Sequence, residues 1–297
     1  MAITSNYSGK VAQDIMLAAI KEEDTLRLGL LNVVPDVNYK LNLRNLDVTL
    51  GVVDYSCGTT PATDAIAYSE KVLEISKFKN EFEICKEDFR PVNWDNDMGA
   101  SAWNESPESI SEAIIADTVA KLGRWVEDQI WNGTGAANQM EGLIAQFGAD
   151  ADVIKPAAAG AILKSNVMDA FDLVTLNIPT ALRRKEVQFI VSPDVADAYA
   201  KSLIENGAAN GFGGNANTAM VYGRYTVQTV NGLPDNTIAI FAKENITFAT
   251  GLADDATSIR TKDMDEVDFS GNVLYKSVFG MAVGYSFGNE IVFYQGA

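Results

Sequence analysis

The chain contains no histidine. Imidazole bases, proton shuttles and His metal ligands are therefore excluded. Its two cysteines, Cys57 and Cys85, cannot make a Cys-rich zinc site or a disulfide framework, and isolated thiols are expected. Positive charge is scarce: 23 Lys plus Arg stand against 40 Asp plus Glu, a formal net charge of -17. Such a surface does not wrap duplex DNA by neutralising phosphates. No stretch approaches the roughly 18 apolar residues that span a bilayer. Met1–Lys10 lacks the basic-then-apolar order of a secretory signal, so a soluble protein made in a cytoplasm is expected. Internal repeats and low-complexity tracts are also lacking, and the acidity is spread along the chain.

What is present suits a folded protein. The chain has 297 residues, 47% hydrophobic and 21% charged, enough to bury a large core without staples. Val11, Ile15, Ala18 and Ala19 predict an amphipathic helix near Lys10–Glu23. From residue 37 the period changes. Leu46, Val48, Leu50 and Val52 alternate with Asp47, Thr49 and Gly51, which predicts a strand with two unlike faces. The Gly-, Thr- and Pro-rich run Tyr55–Asp64 reads as a loop tip, and Leu73, Ile75, Phe82 and Ile84 mark a returning strand. Its apolar phase slips between Ile75 and Phe78, which suggests a bulge or bend. Leu41–Lys86 is thus expected to be one long two-stranded arm. An isolated hairpin is marginal in water, so the arm needs support from elsewhere.

Ser106 and Pro107 suit the start of a helix. Ile110, Ile114, Thr118, Leu122, Val126 and Ile130 then recur every four residues, with Trp125 beside them. They predict a long helix of about 25 residues, roughly 37 Å, ended by Gly133 as a left-handed terminator. Asn138–Ala149 reads as a loop, Val167–Leu176 as a helix and Val187–Val191 as a buried strand. Ser192-Pro193 opens a helix that Gly207 ends, and Asn206–Asn217 is a loop. Strands are predicted at Tyr222–Val230, Thr237–Phe241 and Asn245–Thr250, with a hairpin signal at Asn231-Gly232 between the first two. Phe279, Met281, Val283, Tyr285 and Phe287 alternate with Gly280, Ala282, Gly284, Ser286 and Gly288. One face of that strand is large and apolar, the other nearly bare, and the long helix is expected to pack on this sheet.

Chemistry is hard to find. Cys57 has no histidine to activate it. Asp95, Asp97, Asp263, Asp265, Glu266 and Asp268 invite a cation or carboxylate-pair reading, but TKDMDEVD lacks the central Gly and distal Glu of an EF-hand, so a solvated acidic loop is expected. The Gly-rich runs 132–135 and 211–214 match no phosphate-cradling motif. The residues therefore point to no catalytic, cofactor-binding or metal-ligating set, and projecting arms are what subunits use to reach neighbours.

In this order the parts resemble the major capsid proteins of tailed bacteriophages, the Hong Kong 97-like fold. The carrying motifs are Gly133-Thr134-Gly135, Gln139 and Gly142-Leu143-Ile144 after the long helix, FIVSPDVADAY at Phe189–Tyr199, and FAKENITFATGL at Phe241–Leu252. The resemblance implies an α+β chain with an N-terminal arm (1–36), an extended β-hairpin loop (37–86), a peripheral domain with the spine helix (87–139), an axial domain (140–255) and peripheral C-terminal strands (256–297). It implies a non-enzymatic subunit that self-assembles as pentamers and hexamers into an icosahedral shell around double-stranded DNA, without sequence-specific binding or a membrane. Contacts between subunits would run through the N-arm and residues 40–86. Portal and scaffolding proteins would be partners, the scaffold being separate or already cleaved. The protein would be made in a bacterial cytoplasm and end in the virion. Covalent crosslinks through Lys71, Lys77 or Lys79 to Asn272 are not expected. The alternative is an encapsulin-like compartment enclosing a cargo enzyme.

Overall fold

The computed structural model describes residues 6–8, 23–37, 39–49, 65–85, 108–157, 160–205, 220–251, 258–264, 267 and 270–296. The expected helix near 10–23, the tip 55–64, Ser106-Pro107, Gly207 and the loop 206–217 lie wholly or mainly outside them.

A six-stranded sheet is built on the strictly alternating segment, which forms the 14-residue strand β12 (Asn272–Tyr285). Strand β5 (Ser76–Cys85) runs antiparallel along one edge, from Asn272↔Cys85 to Met281↔Ser76. The other edge is shared. Strand β11 (Ser258–Asp263) takes Val273–Val278, and β10 (Ile246–Thr250) takes Met281–Tyr285. Beyond β11 lies β1 (Asn6–Ser8), and beyond β10 lies β2 (Asn32–Val34), parallel to it.

The large face of β12 meets the long helix α2 (Glu108–Asn132). Phe279, Met281, Val283 and Tyr285 share one core with Leu122, Val126, Ile130 and Trp131. Trp125 stands edge-on to Phe279 at 5.8 Å and to Phe78 at 5.2 Å between ring centres, an orientation that aromatic quadrupoles favour. The bare face receives chain from another element. A Cβ at Gly280 would lie 2.9 Å from Ile75 Cγ2, and one at Gly284 3.1 Å from Leu73 Cδ1. Glycine is thus required for this approach.

The second sheet has the order β13 (Val292–Gln295), β9 (Thr237–Ala242), β6 (Val187–Val191), β8 (Tyr225–Thr229), β7 (Met220–Tyr222). Helices α4 (Val167–Leu176) and α5 (Pro193–Glu205) cover one face, where Phe171, Phe189 and Tyr199 pack together. The other face sends Ile190, Ala239, Phe241 and Phe293 into the core of the long helix. A strand covered on both faces is apolar nearly throughout, and all six residues of β9 are buried, with Thr237 its one polar member.

Four local expectations need correction. The arm does not run to Lys86: β3 (Lys40–Thr49) pairs with β4 (Ala65–Glu74), the chain breaks at Ile75, and β5 leaves for the main sheet. The phase slip at Ile75 is this change of sheet. Gly133 ends α2 but has no positive φ. Glycine is needed there because a Cβ would lie 2.2 Å from the Met140 carbonyl oxygen, and the left-handed residues are Gly135, at φ 72, and Asn138, at φ 65. Residues 143–149, read as loop, form helix α3 (Leu143–Ala149), which buries Leu143 and Phe147. Asn231-Gly232 is not a hairpin, because β6 lies between β8 and β9. Asn231 Nδ2 instead donates to Asp24 Oδ2 at 2.5 Å. The hairpin is β7–β8, turning at Gly223 with φ 60.

Candidate assembly interface

The β3–β4 ribbon pairs Lys40 with Glu74 through to Thr49 with Ala65. Side chains on opposed residues share a face. One face carries Leu41, Leu73, Leu43 and Lys71 at the root. This face closes on the body. Leu73 lies over Gly284, and Lys71 Nζ sits 3.5 Å from the centre of the Tyr285 ring. Burial pushes the Lys71 ammonium below its usual acidity range, opposed by the negative charges of Asp150 and Glu141. Tyr285 donates its hydroxyl to Asp150 Oδ2 at 2.6 Å, which holds that carboxyl low, while burial raises the phenol. The root is therefore held by packing and by a cation–π contact to a tyrosine that its bond to Asp150 keeps in place.

The other face is different. Beyond the paired Lys40 and Glu74 it presents Leu46 opposite Tyr68 and Val48 opposite Ile66. Their exposures are 61%, 58%, 45% and 71%. Four contiguous apolar side chains on a projecting ribbon are not a stable end state in water, and contiguous patches of this kind mark contact sites. The alternation of Leu46 and Val48 made this strand legible, and its partners Ile66 and Tyr68 fall within the expected contact range 40–86 without being singled out there. An alternation of Ile66, Tyr68 and Val72, interrupted by Glu70, is the sequence signal for them.

A recess of 1210 Å³ lies between α2 and β5, and none of the four exposed ribbon residues lines it. Phe78, Phe82, Leu122, Trp125 and Phe279 floor it, with Lys77, Lys79 and Lys121 at its rim. The stripe of α2 thus divides. Leu122, Val126 and Ile130 are core, whereas Ile114, Thr118 and Trp125 are half-buried and line the recess. Strand β5 adds an edge that no other described strand pairs.

The residues weighed for chemistry do not converge. Cys57, Asp95, Asp97, Asp265, Glu266 and Asp268 lie outside the described residues. Asp263 closes β11, and Cys85 is a free, half-buried thiol ending β5. Among the described residues no group of three or more His, Cys, Asp or Glu side chains could hold a metal ion, and no helix is long and apolar enough to cross a membrane. Asn272 donates to Glu83 Oε1 at 2.8 Å within its own sheet, and Lys79 pairs with Glu81 at 2.8 Å.

No protein-family model and no curated protein matches the sequence. Solved structures do match in shape. The chain resembles one from the satellite phage P4 procapsid at TM-score 0.60 and 13% identity, over 96% of this chain and 99% of that one. It resembles a capsid chain of Myoviridae phage XM1 at TM-score 0.62 and 12% identity, over 92% of each. A chain of the virus-like particle from Pyrococcus furiosus matches at TM-score 0.53 and 12% identity, over 96% and 98%. The chain has the α+β, Hong Kong 97-like fold of tailed-phage capsid proteins.

Proposed function

We propose that this chain is the major capsid protein of a tailed bacteriophage, a non-enzymatic subunit that closes as pentamers and hexamers into an icosahedral shell around double-stranded DNA. The observation that carries the reading is the ribbon: it projects an apolar face made by Leu46, Val48, Ile66 and Tyr68 that its own body leaves exposed. In the assembled shell that face lies on a neighbouring copy, with the recess between α2 and β5 as its seat. A patch and a separate recess on one chain make a heterologous contact, and repeated heterologous contacts close rings when the rotation permits. Each contact is worth little alone; closure multiplies the contacts per subunit.

On this reading the chain divides into an N-arm (1–36), an extended loop, a spine-bearing peripheral domain, an axial domain (140–255) and C-terminal strands, with the loop ending at Glu74 and β5 belonging to the peripheral sheet. The net charge of -17 suits a container that packs DNA without gripping it. Portal and scaffolding proteins are its partners, synthesis is in the bacterial cytoplasm, and the virion is its destination.

Electron microscopy and light scattering of the purified chain, alone and with the scaffold of its own gene neighbourhood, test the reading. Closed shells, tubes or rings of five or six support it. A monomer under both conditions overturns it. Nucleic acid inside particles isolated from infected cells distinguishes DNA filling from a protein-cargo compartment.

A further inference from the structure

The first described helix is a single turn, α1 (Asp24–Arg27), and it is fastened to the long helix by a buried carboxyl group. Glu127 is 5% exposed. Its Oε1 accepts from the Thr25 hydroxyl and, at 3.3 Å, from the Thr25 amide. The Thr25 oxygen accepts in turn from Trp131 Nε1 at 2.9 Å, so the hydroxyl is used in both directions. Thr25 and Trp131 are both fully buried. The second oxygen, Glu127 Oε2, is buried without a hydrogen-bond partner. Gly232 closes the site from a third side, where a Cβ would lie 2.9 Å from Glu127 Cγ. An ionised carboxylate with one oxygen orphaned in such a place is costly.

We propose that the Thr25–Glu127–Trp131 junction is a proton-operated latch on the point where the N-terminal stretch joins the body, closed while Glu127 carries a proton and released when it loses one. Charges of both signs surround it, and the two that bear on Glu127, Glu23 and Asp24, are both negative. On the turn stand Glu23 and Asp24, with Arg27 drawn to Asp24 at 2.5 Å. On α2, Asp128 is exposed and accepts from Asn132, and Arg124 is exposed. The loop at Asn231 contributes an amide that binds Asp24, and Lys243 stands over Gly29. Burial raises the Glu127 carboxyl to about 7; the two Thr25 donors oppose the rise, and the Asp24 and Glu23 charges add to it. Opening hydrates the carboxylate and returns it to the ordinary range, so loss of the proton favours the open form. The junction lies within one chain, so the latch stands whether or not the chain builds shells.

Hydrogen exchange read by mass spectrometry on the full chain tests this, using peptides over residues 23–31 and protection factors corrected for intrinsic pH dependence. The amides of Arg27, Leu28 and Leu30 report the turn through their bonds to Glu23, Asp24 and Thr25. Their protection should fall about tenfold between pH 6 and pH 8, the linkage expected when a group titrates near 7 closed and near 4.5 open, while β9 amides do not change. Glu127→Gln should keep the turn protected and flat across that range. Asp24→Asn, which removes a neighbouring negative charge, should move the midpoint to lower pH. A flat profile in the unmodified chain, or an unaltered tenfold fall in Glu127→Gln, overturns the latch. An unmoved midpoint in Asp24→Asn does so as well.

Discussion

Strand β9 and the β3–β4 ribbon both carry large apolar residues, and those residues end in opposite environments. Thr237–Ala242 is buried at every position, between helices on one face and the long-helix core on the other. The ribbon pairs ten residues with ten, yet Leu46, Val48, Ile66 and Tyr68 remain between 45% and 71% exposed. The difference is support. Strand β9 spends its apolar surface inside the subunit, where it stabilises the fold. The ribbon spends only its root, Leu41, Leu43 and Leu73, and keeps the remainder for a contact outside it.

The comparison breaks most visibly if both ribbon positions are charged. Ile66→Asp with Tyr68→Asp should abolish particles in microscopy and light scattering, while subunit stability stays within about 0.5 kcal/mol, as for other surface changes. Persisting shells would show that the exposed face is not a contact. The reverse pattern is expected in the body. Phe189→Ala, removing a ring packed on Phe171 and Tyr225, should cost about 3–5 kcal/mol in denaturant unfolding.

The junction at Glu127 sharpens the contrast through pH. Its folded value of about 7 lies above the unfolded 4.5, so its stabilisation is complete below about 4.5 and is lost as pH rises through 7. At pH 8, Glu127→Gln should therefore be more stable than the unmodified chain, by up to about 3 kcal/mol, with the gain gone by pH 4. Smaller still, Gly284→Ala should cost about 1–2 kcal/mol of thermal stability, because its methyl group meets Leu73 at the ribbon's root. The least effect is expected from Lys40→Ala, which breaks an exposed pair with Glu74 and should leave the melting temperature unchanged.

Much of the body was legible. Helix α4 and strand β6 fall at the predicted residues, and α2 and β12 follow the apolar periods that announced them. The assembly surface was legible only in outline. The Leu46–Val48 alternation identified an arm, but alternation alone does not say whether a strand's apolar face meets its own core or a neighbouring molecule. Helix α3 was missed because its seven residues include Gly148, and it is held by burying Leu143 and Phe147 and not by propensity. The Asn231-Gly232 signal was a sound local preference overridden by distant chain, since β6 reached β8 first through the crossover helix α5.

By itself the sequence determined the absence of imidazole chemistry, the acidity, the period of each long element and the near-bare face of β12. These follow from residue types and spacing, which act over a few neighbours. Only the tertiary structure decided that this bare face holds the root of the ribbon, that β5 leaves the arm for the main sheet, and that Thr25 reaches Glu127 across 102 positions. Each of these depends on which distant surfaces exclude water together. A glycine admits many neighbours, and the packing of the whole chain selects one.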